Sequence, residues 1–126
     1  MRMTKTFVGV AASLAAAASL AAAPTPPESS GDRSERIAPG EIVEWCTDLA
    51  KGQRASYRFE ADAPLDFNIH AHEDDKVIYP VKRDGLRRAG PAQFVAPSAT
   101  GWCWMWTNSG KRETEVRYAI TLEAPR

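Results

Sequence analysis

From Glu41 to the C-terminus, apolar and polar side chains alternate with a period of two. Ala55, Tyr57 and Phe59 alternate with Ser56, Arg58 and Glu60. Leu65, Phe67, Ile69 and Ala71 alternate with Asp66, Asn68, His70 and His72. Val116, Tyr118, Ile120 and Leu122 alternate with Glu115, Arg117, Ala119 and Thr121. Successive strand residues point to opposite faces, so each run predicts a strand with one face buried and one wet. Further strand signals lie at 41–49, with Ile42, Val43 and Trp45, and at 76–81, 91–96 and 100–107. Pro80 puts the 76–81 run at an edge or a strand end. Glu73-Asp74-Asp75 and Asp84-Gly85 read as turns, and Asn108-Ser109-Gly110 as the tight turn of a closing hairpin. About seven short strands without a helix signal predict an all-β fold, a small antiparallel β-sandwich. The run 100–107 is apolar on both faces, which predicts a central place for it.

Ahead of Ile37 the pattern is different. Arg2 and Lys5 precede an uncharged run, Phe7 to Leu20, that ends in small residues before Pro24. This is the layout of a secretory signal peptide over residues 1–22, cut after Ala21 or Ala22. A spanning helix needs about 20 strongly apolar residues, and this run is mostly alanine. No cysteine follows it to carry a lipid and no second apolar stretch occurs. The expectation is a periplasmic or secreted chain with no membrane span after cleavage. Residues 23–36 are rich in proline, serine and charge and lack any bulky apolar side chain, so they read as a disordered tether. The folded domain is expected over residues 37–126.

Export changes how charge and cysteine read. Loss of the leader removes Arg2 and Lys5, leaving 14 of the 16 basic residues against 16 acidic ones. A nucleic-acid footprint needs a basic excess, so nucleic acid is excluded as a partner. In an oxidising compartment, two cysteines, Cys46 and Cys103, suggest one disulfide rather than a nucleophile or a metal site. Two buried free thiols are the alternative. Closing the loop between them is worth about 4 kcal/mol in the chain-entropy model.

Three constellations are candidates for function. His70 and His72, two apart on one strand, share a face about 6–7 Å apart. With Asp66 and Glu73 they could begin a zinc or copper(II) site, since imidazole plus carboxylate suits both ions. The competing reading is a polar strand face that tolerates histidine. Trp102, Trp104 and Trp106 alternate with Cys103 and Met105 and so share the other kind of face. Exposed, they would form an aromatic ladder for a ligand or partner; buried, they fill the core, and aromatic burial in a small domain favours the core. Lys82, Arg83, Arg87 and Arg88 surround Asp84-Gly85 and read as a solvated loop rather than an anion site. No glycine-x-serine-x-glycine elbow or phosphate-cradling glycine loop occurs, and no nucleophile can be paired with a base, so no enzyme activity is expected.

The order of parts resembles the GOLD (Golgi dynamics) domain, a lumenal β-sandwich. The resembling residues are Trp45-Cys46, then Tyr57-Arg58-Phe59, then Leu65-Asp66-Phe67-Asn68-Ile69, then Lys76 to Pro80, and finally Gly101-Trp102-Cys103-Trp104-Met105-Trp106-Thr107-Asn108. The resemblance covers residues 41–123. It implies a β-sandwich, a Cys46–Cys103 disulfide and a tendency toward protein or ligand binding. That family continues into a coiled coil and a membrane span, whereas the sequence here ends at Arg126, so a cargo-receptor role is not implied. The expectation is therefore a non-enzymatic exported binding module of the cell envelope, with an unidentified protein or envelope ligand as partner. The alternative is a periplasmic copper- or zinc-binding protein using the His-x-His strand.

Overall fold

The alternating runs fold into six strands: β1 (Gly31–Ile37), β2 (Ile42–Leu49), β3 (Arg54–Glu73), β4 (Lys76–Val95), β5 (Thr100–Thr107) and β6 (Thr114–Leu122). The structure, a computed structural model, describes residues 9, 11–13 and 28–125. Apart from those few positions, the leader expected over 1–22, and the expected tether as far as residue 27, lie outside the described residues.

All strands pair antiparallel in one sheet of order β1-β6-β3-β5-β2, with β4 along β3. The first part of β3, Ala55 to Ala61, pairs with β6. Its second part, Asp66 to His70, pairs with β5, and β4 runs beside both parts. The sheet therefore has two arms, β1-β6 and β5-β2, joined by the β3-β4 ribbon. It curls until aromatic rings of the two arms meet. Phe94 lies 5.1 Å from Trp102, Phe59 lies 5.7 Å from Trp106, and Tyr118 stacks on Trp106 at 4.4 Å.

The curl has a local cause. Three times along the ribbon, two residues of β4 oppose one of β3: Tyr79-Pro80 opposite His70, Asp84-Gly85 opposite Asp66, and Gly90-Pro91 opposite Arg58. Such bulges bend a strand and increase its twist. At Gly85 φ is 69°, and at Gly90 it is 87°. A Cβ at Gly90 would also collide with the Tyr57 carbonyl oxygen, so glycine is required there. Asp84-Gly85, expected as a turn, is thus a bulge inside a strand. Pro80 and Pro91 are tolerated because, among the described residues, nothing pairs with the other edge of β4.

Six strands in one curled sheet stand where about seven in a sandwich were expected. Runs 54–61 and 65–72 fuse into β3, runs 76–81 and 91–96 fuse into β4, and β1 is an addition. Strand β1 occupies most of the end of the expected tether, which therefore stops short of Gly31. Its residues Asp32 to Arg36 are polar or charged, so they carry no apolar strand signal. Backbone pairing with β6 and side-chain ties hold it instead. The Ser34 hydroxyl donates to Glu115 at 2.7 Å, Arg58 donates to Asp32 at 2.9 Å, and the Ile120 N–H donates to Ser30 Oγ at 2.7 Å. Only Ile37 enters the core. A charged edge strand also discourages pairing with other chains.

Asn108 ties the arms together at one end and is fully buried. Its Nδ2 donates to the Ile37 carbonyl at 2.9 Å and to the Arg112 carbonyl at 2.7 Å, while Oδ1 accepts from the Gly110 N–H at 2.9 Å. Each such bond contributes about 1 kcal/mol, and stranding buried partners costs more. Asn108→Ala is expected to lower the unfolding free energy by about 2–3 kcal/mol. Urea denaturation checks it; a loss indistinguishable from zero would show that water replaces the amide.

Candidate functional site

Strand register assembles the most chemically diverse patch of the molecule on the outer face of the arm formed by β2, β5, β3 and the first half of β4. Directly opposed residues share a face. One row across it is Glu44, Met105, Asn68 and Lys82. The next is Cys46, Cys103 and His70, with Tyr79 in the bulge opposite His70. His72 and Val77 are paired beyond it, and Ile42, Thr107 and Asp66 form the row on the other side.

Cys46 and Cys103 are joined, with an S–S distance of 2.06 Å, as directly opposed residues of β2 and β5. Alternation then sends the neighbouring indoles the other way. Trp102, Trp104 and Trp106 are 0%, 0% and 1% exposed, so none of them offers a surface to a ligand or partner. The reading of these three as an exposed ladder is corrected by this burial, and they form the core instead. The Trp102 indole donates to the Ser98 carbonyl at 3.1 Å, whereas Trp104 and Trp106 Nε1 have no hydrogen-bond partner among the described residues.

The histidine pair is divided by environment. His72 is exposed, while the His70 side chain is only 5% exposed. Their rings lie 5.3 Å apart, and Tyr79 covers His70 at 5.7 Å. His70 Nδ1 is 2.8 Å from Asn68 Oδ1, an acceptor, which places the ring proton on Nδ1. Nε2 then presents its lone pair toward Glu44 Oε2, 3.4 Å away. Glu44 comes from β2, two strands from His70, and nothing in local sequence connects them. The other two residues of the expected metal set do not converge on the histidines. Asp66 accepts from the Gly85 N–H at 3.0 Å and from Ser109 Oγ at 2.8 Å, which fastens a bulge and a loop. Glu73 accepts from the Ser98 hydroxyl. Among the described residues, the ligand atoms that do gather are one each from Glu44, His70 and Cys103, all within 4.8 Å of one another.

Burial holds the His70 pKa below its ordinary value, with the Glu44 carboxylate opposing and His72 adding to the shift. The folded protein therefore resists protonating this ring more than the unfolded chain does. The resulting stability is present above the ordinary histidine value of about 6.5 and is lost as pH falls from there through the depressed folded value. Urea midpoints at pH 7.5 and pH 5 are expected to differ more for the wild type than for His70→Gln. Equal differences would remove His70 as a source of acid sensitivity.

The rest of the face is shallow and part apolar. A shallow depression of about 270 Å³ is bordered by Asp66, Asn68, Tyr79, Lys82 and Met105. The Lys82 ammonium sits 5.4 Å above the centre of the Tyr79 ring. Ile42, Val77 and Tyr79 are 55%, 39% and 46% exposed. The Ser98 and Ser109 hydroxyls donate to carboxylates, not to an imidazole. Sequence reasoning missed Glu44, Met105, Val77 and Tyr79 as parts of one surface. The available signal was the odd polarity of β2, whose even positions 42, 44, 46 and 48 all turn away from the core.

No protein-family model matches the chain, the GOLD family's included, and no curated protein matches it. Among the described residues, no helix is long and apolar enough to cross a membrane. The fold is similar to that of PliG from Aeromonas hydrophila, a periplasmic lysozyme inhibitor of g-type lysozyme, with a TM-score of 0.59 and 10% identity over 73% of this chain and 84% of that one. At that identity the likeness is one of fold: a small all-β architecture shared with a periplasmic protein.

Proposed function

We propose that the chain is an exported, non-enzymatic module that binds a protein partner through the outer face of the β2-β5-β3-β4 arm. The observation that carries this reading is the clustering of exposed apolar side chains. Ile42, Val77 and Tyr79 are three of the four large exposed hydrophobics among the described residues, and all three lie on this face. Met105 and the disulfide continue the surface between them, and Glu44, His72 and Lys82 supply polar contacts. An aromatic and aliphatic centre with charged surroundings is the composition of a protein-binding patch. The disulfide and the fold shared with a periplasmic protein support export. PliG inhibits an enzyme, and inhibition of an enzyme requires binding to a protein, so a cell-wall hydrolase such as g-type lysozyme is the first partner class to try.

Purified protein is to be tested by surface plasmon resonance and lysis assay against g-type lysozyme and other peptidoglycan hydrolases. Saturable binding is expected, weakened about tenfold or more by Tyr79→Ala and Val77→Asp. Val95→Ala, at an exposed hydrophobic on the far part of β4, should leave it unchanged. Silence across the panel would remove the hydrolase class. Binding that ignores both face substitutions would move the site elsewhere.

A further inference from the structure

We infer that Cys46, Cys103, His70 and Glu44 form a latent zinc site, closed while the cysteines are paired and opened when they are reduced. Three observations converge on it, and none depends on the proposed binding partner. First, one ligand atom each of Glu44, His70 and Cys103 already lie within 4.8 Å of one another. Cys46 Sγ stands outside that group of three but is bonded to Cys103 Sγ at 2.06 Å, so reduction frees a second sulfur next to it. Second, the imidazole is set up as a ligand. Asn68 Oδ1 lies 2.8 Å from Nδ1 and can accept its proton, so a neutral ring held this way turns a free Nε2 toward Glu44. A histidine that donates its other ring N–H to an oxygen is the usual arrangement around bound metal. Third, Nε2 of the buried His70 ring, 5% exposed, lies 3.4 Å from a carboxylate oxygen of Glu44, whose side chain is 42% exposed, so two ligand atoms already adjoin at the surface.

The chemistry balances with a dithiol as reductant. Two electrons and two protons pass from the dithiol to the Cys46–Cys103 bond, the S–S bond breaks into two thiols, and the dithiol leaves as its own disulfide. A zinc ion then displaces both thiol protons and takes two thiolates, one neutral imidazole and one carboxylate, a four-ligand set suited to tetrahedral zinc. Two features make this reachable. Cys46 is exposed, so a reductant can attack it. Among the described residues β2 pairs with β5 alone, at the end of the sheet, so fewer ladder bonds resist a separation of the sulfurs there than elsewhere. While oxidised, the sulfurs are poor ligands and only His70 and Glu44 remain.

The test is a zinc titration of the full chain, oxidised and phosphine-reduced, against a chromophoric chelator, with cobalt(II) as an optical probe. The reduced protein is expected to bind one zinc ion at least about 100-fold more tightly than the oxidised protein, and cobalt to give a thiolate charge-transfer band. Asn68→Leu, which keeps every ligand but frees the ring, should weaken reduced-state binding about 10- to 100-fold. His70→Gln should weaken it further. If the reduced chain unfolds, zinc should restore the β-sheet circular dichroism of the wild type but not of His70→Gln. Equal affinity in both redox states would overturn the inference, as would reduced-state binding that His70→Gln and Glu44→Gln both leave intact.

Discussion

Trp106→Ala is expected to lower the unfolding free energy by about 3–5 kcal/mol, the range for removing a buried aromatic side chain from a core that cannot collapse around the gap. The ring is 1% exposed and joins both arms of the sheet. It stacks on Phe67 at 5.6 Å and on Tyr118 at 4.4 Å, and meets Phe59 edge-on at 5.7 Å. No neighbouring strand can move in, because β5 is held by β2 on one side and by β3 on the other. Trp106→Phe should cost much less. It keeps a ring in the stack and removes an indole N–H that is buried without a partner, a group whose burial costs about 1–3 kcal/mol. Urea unfolding of both variants checks the pair of expectations. A Trp106→Phe loss as large as that of Trp106→Ala would mean that the indole, not the stacked area, holds the arms together.

The second large effect is loss of the disulfide. The Cys46→Ser, Cys103→Ser double variant is expected to lose about 4 kcal/mol, the chain-entropy value for a cross-link between positions 57 apart. The loss should also be uneven in space. Among the described residues β2 ends the sheet and pairs with β5 alone, so the staple acts where the sheet is thinnest. Hydrogen exchange of the variant should rise first in Ile42–Leu49 and least in β3, which is paired along both edges. Uniform acceleration would show instead that β2 unfolds only with the whole domain.

Both effects turn on features with different visibility in the sequence. The strand class was legible because a half-buried strand must alternate, and the runs at 54–61, 65–72 and 115–122 do so without interruption. The disulfide was legible because the leader expected from the first 22 residues would make pairing the default for two cysteines. Strand β1 was not legible: its stability comes from backbone bonds to β6 and from Ser34, Asp32 and Ser30, and a charged sequence with one anchor at Ile37 looks the same when disordered. Asp84-Gly85 was legible as an irregularity, read as a turn, but not as a bulge, and the bulge at Gly90-Pro91 had no reading in the sequence. A glycine at positive φ serves a turn and a bulge equally, and only the opposing β3 residue decides which of the two forms.

The candidate site divides in the same way. That His70 and His72 share a face and that the three tryptophans share the opposite kind of face was readable in the chain itself, and so was the expectation that its two cysteines pair. The first two follow from the two-residue period of a strand and the third from the export expected of the chain, and none of them needs a partner strand. Only the tertiary structure decided which face is core, that Glu44 rather than Asp66 or Glu73 meets His70, and that Ile42, Val77 and Tyr79 lie on one surface with the disulfide. These depend on the register between β2, β5, β3 and β4 and on the bulges that shift it, so they come from contacts between residues far apart in the chain.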